Sequence, residues 1–411
     1  MLDTHLAPHA TCRRLRAGPA ADHIDDFADW LHRRGYRPKV LRNRLRSFAA
    51  WTDWLELNGM TSTDYVEGLR ACESYIGMRH RARYQRGPNK ESLTVARLFI
   101  RFLQERSLLQ HPSAPLSPSD TWPPLREFRS WMRQHRGVTE STLRVYDGSL
   151  AELQAKLGTD PAAYTAESVR RFVLERAKRH GTSYAKLTAS AVRTFLQFLA
   201  ATGRCRAGLA HAIPAFASWN NTSMPRFLIP EDLERVVASC MEDKIGLRDK
   251  AILLLLARLG LRAGDVARLK IKDIDWRNGT LVVCGKGRRH ERLPMSQEVG
   301  DAIRGYLERG RPSSGIQEVF TRALAPPGSL VPQAISATVR RALRRAGVEA
   351  PTQGAHLLRH SAATSMLRQG ASLAGIGAVL RHRSPQTTAH YAKVDMALLS
   401  EVAQPWPGVV S

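Results

Sequence analysis

Apolar positions recur along the chain mostly at the spacing of helices. Leu41, Leu45, Phe48 and Leu55 share one helical face, and Leu143, Tyr146, Leu150 and Leu153 do the same about a hundred residues later. Each of these long amphipathic segments follows a short one with an aromatic signature, FADWL at 27–31 and FRSWM at 128–132. Each is followed in turn by a closing helix, ARLFIRFL at 96–103 and VRTFLQFL at 192–199. The offsets of 101 residues at the start and 96 at the end describe a duplicated helical module with small length changes inside it.

Two proline-rich stretches interrupt this patterning, HPSAPLSPSDTWPP at 111–124 and residues 213–230 with Pro214, Pro225 and Pro230. Proline lacks an amide donor and disfavours helix in the residue before it, so both are expected to be linkers. The expected parts are an N-terminal helical module (1–110), a second helical module (120–212), a mixed third part (225–400) and a short tail (401–411). In the third part, IPEDLERVVAS starts a helix at Pro230, with Glu231 and Asp232 near the positive end of its dipole. RDKAILLLLARLG reads as a buried helix stopped by Gly260. TLVVCGKGRRHERLPM alternates β-branched and polar residues around Gly285-Lys286-Gly287, the pattern of a β-hairpin, and helical spacing returns from Gln333. The expected fold class is mainly α with a small β-sheet.

A chain of 411 residues exceeds one ordinary core, and 43% hydrophobic with 24% charged residues is a globular composition. The longest strongly apolar run, Ala251 to Ala257, is seven residues, against the ~20 that cross a bilayer. The N-terminus has no apolar core of signal-peptide length, so a cytoplasmic protein is expected. The five cysteines are scattered with no C-x-x-C pair, as free thiols in a reducing compartment would be.

Charge changes the picture more. Sixty-two Lys and Arg against 37 Asp and Glu leave a net +25, spread as +7 over 1–115, +7 over 116–220 and +11 over 221–411. A basic tail would concentrate that surplus. Spread over every part, it fits a protein that embraces a polyanion along its length, and nucleic acid is the obvious one. A genome that favours arginine codons is the plainer alternative. Lys39, Arg42 and Arg46 follow i, i+3, i+7 spacing on a face distinct from Leu41, Leu45 and Phe48. Such a stripe can run along phosphates, giving affinity without reading sequence.

Four short motifs carry candidate chemistry. In LGLRAGDVARL (259–269), Arg262 lies just past a helix-ending glycine and Asp265 where the next helix begins. Lys286 sits between two glycines at the hairpin tip, without the G-x-x-x-x-G-K-[ST] of a nucleotide-binding loop. In HLLRH (356–360), His356 and Arg359 share a helical face. His356 and His360 have the i, i+4 spacing of a metal pair, but Leu357 stands where a zinc protease carries glutamate and no carboxylate ligand follows, so no metal is expected. In LRHRSPQTTAHYAKVD (380–395), His382 precedes Tyr391 by nine residues, with a turn at Ser384-Pro385 between them.

Taken in order, G-L-R, the hairpin G-K-G, H-x-x-R-H and L-x-H with a following Tyr resemble the tyrosine recombinase (phage integrase) family over about residues 225–395. The resemblance implies an α+β catalytic domain preceded by helical DNA-binding modules. One such module is usual; the extra one at 1–110 resembles the longer recombinases of mobile elements, or an arm-binding domain. It further implies a site-specific recombinase, integrase or transposase acting on double-stranded DNA without cofactor or metal. Arg262 and Arg359 would clamp the non-bridging phosphate oxygens, with His356 and His382 hydrogen-bonding the same phosphate or moving protons. Tyr391 would attack phosphorus to form a 3′-phosphotyrosyl bond, and Lys286 would protonate the departing 5′-oxygen. Two protomers per site and four in a synapse, passing through a Holliday junction, are implied as the assembly, with other recombinases of the same element as further partners. A type IB topoisomerase would share the nucleophile and the arginine clamp, and a DNA-binding accessory subunit would share the fold alone. Two departures stand out. Arg381 occupies a place where the family commonly has Gly, which bears on the local backbone geometry while an extra cation beside a phosphate is tolerable, and Asp265 stands where Glu is common and can do the same orienting work.

Overall fold

The computed structural model describes Leu2 and residues 9–78, 88–109, 122–216, 225–284, 290–313, 315–382 and 384–394. By contacts the chain divides into two compact units, one of residues 106–220 and one that combines 1–105 with 221–411. The described residues are mostly helical, with a single three-stranded antiparallel sheet, as the periodicity predicts.

The N-terminal helices are α1 (His9–Ala17), α2 (Ile24–Arg33), α3 (Pro38–Leu57), α4 (Tyr65–Met78) and α5 (Lys90–Glu105). The FADWL segment lies in α2 and ARLFIRFL in α5, and the predicted face of α3 is buried at Leu41, Leu45, Phe48 and Leu55. Aromatic rings fill the space between them, Phe27, Phe48, Phe99 and Phe102 all being fully buried.

The 106–220 unit repeats that scheme in α6 (Pro123–Arg136), α7 (Glu140–Leu157), α8 (Ala166–His180) and α9 (Thr182–Ala201). Most of the first proline-rich stretch lies outside the described residues, but its last two prolines, Pro123 and Pro124, open α6 instead of extending a linker. Their fixed φ and missing amide suit the first turn of a helix, where the N–H groups lack intrahelical partners anyway.

The third part is built on α11 (Lys244–Arg258), whose run from Ala251 to Ala257 is buried on all sides. Around it pack α10 (Pro230–Ala238), α13 (Gln297–Gly305), α14 (Pro332–Ala346) and α15 (Ala355–Arg368). A charge survives inside this core because Asp249, fully buried, accepts from Arg248 Nε at 3.1 Å and Nη2 at 2.7 Å. After α11 come the short α12 (Ala263–Arg268) and strands β1 (Ile274–Asp275), β2 (Thr280–Cys284) and β3 (His290–Pro294). The β2–β3 register pairs Val282 with Arg292 and Cys284 with His290, turning Leu281, Val283 and Leu293 inward. The hairpin is thus formed as expected, while its tip, Lys286 included, lies outside the described residues. The chain then runs through α16 (Leu373–Val379), α17 (Pro385–Ala389) and a 3₁₀ segment, His390–Val394. The segment after Val394 and the tail 401–411 also lie outside the described residues.

Candidate active site

The site forms where α11, α12, α15 and the segment 380–391 meet. Gly260 ends α11 with φ +57°, and a Cβ there would stand 2.4 Å from Leu380 Cδ2, so glycine is favoured on both counts. The chain then turns to start α12. The backbone N–H of Arg262 donates to Asp265 Oδ2 at 3.3 Å, so the acidic residue at the third helical position holds the Arg262 backbone in place.

Helix α15 places His356, Arg359 and His360 at i, i+3, i+4, with Leu357 and Leu358 anchoring the opposite side in the core. Arg359 is buried, and its guanidinium donates to the backbone carbonyls of Gly260 and Leu380. Arg262 Nη2 donates to the next carbonyl along, that of Arg381, at 3.0 Å. Two arginines from different motifs therefore pin consecutive peptide groups just before His382. Burial and the nearby positive charge of Arg262 lower the Arg359 pKa to about 10, which still leaves it cationic near neutrality.

Arg381 lines the same pocket as Arg262 and His382. It adopts φ +57°, the left-handed conformation that suits the glycine more common at this place. Its side chain, 4% exposed, turns inward and donates from Nη2 to Asp265 Oδ2 at 2.6 Å, with Glu291 on β3 3.6 Å from Nε. Buried beside Asp265, its charge has an opposite partner in the carboxylate on α12. Arg381 thereby joins the Arg262 turn, the hairpin and the His382 segment.

His382 is half-buried, and its Nδ1 lies 2.7 Å from Thr388 Oγ1. Thr388 itself is buried on α17, which begins at Pro385; the expected Ser384-Pro385 turn is thus the start of a short helix. Tyr391 is 2% exposed, packed against Ala363, Leu367, Ile376 and Leu380. Its hydroxyl lies 2.8 Å from Nδ1 of His360, and its ring is parallel to that of His382 with centroids 6.4 Å apart. Burial raises the Tyr391 pKa, against a smaller opposing pull from Arg359, so the phenol is protonated near neutrality. Burial and surrounding positive charge push His360 and His382 down to about 4, so both imidazoles are neutral there. Desolvation and the two arginines also lower His356, which is exposed at the start of α15.

The structure therefore brings together Arg262, His356, Arg359, His382 and Tyr391. Lys39, Arg42 and Arg46 are exposed on α3. Sequence reasoning weighed His360 only as half of a metal pair and passed over Thr388. The signal for His360 was its place one residue after Arg359, on the same helical face as His356. Thr388 carried no signal, because nothing in QTTAHY says which hydroxyl would meet His382.

A mainly helical domain with one antiparallel hairpin, bringing arginines, histidines and a buried tyrosine close together, is the architecture of enzymes that cut and rejoin DNA. Residues 226–397 match the phage integrase family, and residues 125–203 match the phage integrase N-terminal SAM-like domain. The chain is 36% identical over 397 residues to the Sinorhizobium fredii protein named integrase/recombinase y4rA, covering 95% of both. It belongs to the phage integrase, or tyrosine recombinase, family, whose members catalyse DNA cleavage and rejoining in site-specific recombination. The tyrosine recombinase XerC of Lactobacillus delbrueckii is 28% identical over 299 residues, which are 68% of this chain and 98% of that one. Among solved structures, the XerH recombinase bound to a palindromic difH substrate aligns at TM-score 0.54 with 20% identity, over 69% of this chain and 84% of that one. A lambda integrase dimer bound to a core site aligns at TM-score 0.52 with 18% identity, over 70% and 98%. These two likenesses concern the fold.

Proposed function

We propose that this chain is a site-specific recombinase or transposase of a mobile element that cuts double-stranded DNA through Tyr391. The observation that carries the reading is the Tyr391 hydroxyl, 2.8 Å from His360 Nδ1 and neighboured by His382 and Arg359. A phosphodiester resists attack because its charge repels nucleophiles and grows on the non-bridging oxygens in the transition state. Arg262 and Arg359 supply permanent positive charge there, and His356 and His382 add hydrogen bonds. Arg359 spends two of its five donors on backbone carbonyls, which fixes its plane and leaves others for phosphate.

A protonated phenol is a weak nucleophile, so its proton must leave as the oxygen–phosphorus bond forms. Neutral His360, already in contact, is the group to receive it. The 3′-phosphate becomes bonded to Tyr391 Oη, and the 5′-oxygen departs with a proton, for which Lys286 is the candidate donor. Because the covalent link keeps the bond energy, rejoining to another 5′-hydroxyl needs no nucleotide cofactor. Strand exchange between two sites calls for two protomers on each, hence a tetramer on DNA, with other recombinases of the same element as further partners. The organisation we assign is three-part, with helical modules before a catalytic domain, and the place of action is the cytoplasm, where the DNA is. Among the described residues no helix is long and apolar enough to cross a membrane.

Recovery of protein–DNA adducts from cells under denaturing conditions tests this. Wild type should yield adducts at one repeated sequence, and Tyr391→Phe none. Equal adduct formation by both would overturn the assignment of the nucleophile. Tyrosine-dependent adducts scattered over the genome would overturn site specificity.

A further inference from the structure

The two helical modules share more than helix order. In the first, Phe27 meets Phe99 edge-on with centroids 5.1 Å apart; in the second, Phe128 meets Phe195 edge-on at 5.2 Å. Phe27 stacks on Trp30 at 5.9 Å and Phe128 on Trp131 at 6.3 Å. Trp30 contacts Phe102 at 5.9 Å, and Trp131 contacts Phe198 at 5.7 Å. Arginines cap both tryptophans, Arg34 at 4.0 Å from the Trp30 centroid and Arg136 at 5.4 Å from that of Trp131. The same ring pairs at similar spacings, at offsets of 101 and 96 residues, mark one fold used twice.

The second copy is the part that matches the SAM-like domain. The copies also carry similar charge, a surplus of five basic residues over 24–105 and of six over 125–203. In the first copy that charge is unevenly disposed. Arg34, Arg44 and Arg97 pair with Glu105, Glu91 and Glu73. Lys39, Arg42 and Arg46 stand exposed on α3 without an acidic partner among the described residues. Seven residues of helix span roughly 10 Å, against 3.4 Å of axis per phosphate along one strand. A cationic row of that length, exposed and without an acidic partner among the described residues, suits a run of phosphates better than a protein surface, which would offer a mixed pattern.

We propose that residues 24–105 form a second DNA-gripping module that holds duplex through its backbone with Lys39, Arg42 and Arg46, on a segment beyond that held by the rest of the chain. This rests on the recombinase reading and adds to it a longer footprint per protomer.

The test uses the full chain and a 60-base-pair duplex of arbitrary sequence, titrated with salt. Against wild type, the triple variant Lys39→Gln, Arg42→Gln, Arg46→Gln should lower the slope of log affinity on log salt by about 2.7. The wild-type advantage should accordingly shrink roughly 40-fold between 50 and 200 mM salt. On a 20-base-pair duplex the two proteins should differ little. An unchanged slope on the long duplex, or an equal change on both duplexes, would overturn the proposal. Tyr391-dependent adduct formation, followed in the same proteins, reports on the recombinase reading separately.

Discussion

Replacing Arg381 with glycine sets two opposed effects against each other at one residue. The substitution removes one partner of an ion pair at 2.6 Å whose side chains are 4% and 3% exposed. Breaking such a buried pair costs about 3–5 kcal/mol. Asp265 keeps the Arg262 amide at 3.3 Å and Arg268 Nη2 at 3.4 Å, which places the cost near the lower end. Glycine also relieves the left-handed backbone at φ +57°, a gain of about 1–2 kcal/mol. The expected net loss for Arg381→Gly is therefore about 1–2 kcal/mol, and for Arg381→Ala, which keeps the strain, about 3 kcal/mol. Asp265→Asn strands Arg381 with only Glu291 at 3.6 Å, and about 3 kcal/mol or more is expected. A cycle of Arg381→Gly, Asp265→Asn and the double variant, followed by guanidinium denaturation, should return a coupling of about 2 kcal/mol. Coupling below ~0.5 kcal/mol, the level of independent sites, would refute the ion pair as the reason arginine is held here. A glycine variant less stable than the alanine variant would refute the strain argument.

Further outcomes follow from the same geometry. His360→Ala should slow single-turnover cleavage by roughly 10²–10⁴-fold with little effect on DNA affinity, since a general base acts in the transition state. Cleavage by wild type should fall as pH drops through about 4, where His360 gains a proton and can no longer accept one from Tyr391. Stability should fall earlier. The unfolded imidazoles of His360 and His382 protonate near 6.5 while the folded ones wait until about 4, so the unfolded state binds more protons in between, and the denaturation midpoint declines from pH 6.5 to 4. Thr388→Val removes the hydroxyl 2.7 Å from His382 Nδ1 and should reduce cleavage about tenfold, whereas Thr388→Ser should restore it. Gly260→Ala forces a methyl to 2.4 Å from Leu380 in a left-handed conformation and should cost about 2–3 kcal/mol, read as a lower denaturation midpoint.

Period and spacing carry information that survives without coordinates. The 3.6-residue repeat of Leu41, Leu45 and Phe48 sets their burial, because a helix long enough to show the repeat has only one apolar face to hide. The alternation through TLVVC and HERLP gives the hairpin, and HLLRH at i, i+3, i+4 puts two histidines and an arginine on one side of α15. Gly260 after an apolar run foretells a helix end with positive φ. The aromatic signatures of the two helical modules foretell matching ring pairs, Phe27 with Phe99 and Phe128 with Phe195.

Contacts across long stretches of chain are a different matter. That Arg359 grips the carbonyls of Gly260 and Leu380, 99 and 21 residues away, depends on how α11 and α15 cross, which no local pattern encodes. The inward turn of Arg381 depends on Asp265, 116 residues earlier, offering a buried carboxylate within reach of a left-handed backbone. His360 gains its importance only because the 3₁₀ turn at His390 delivers the Tyr391 hydroxyl to its Nδ1. Sequence thus names the chemically active residue types and their local faces, through short-range sterics and hydrophobic periodicity. Which of them touch is decided by tertiary packing, because hydrogen bonds and ion pairs act over a few ångströms between segments whose separation along the chain says nothing about their distance in space.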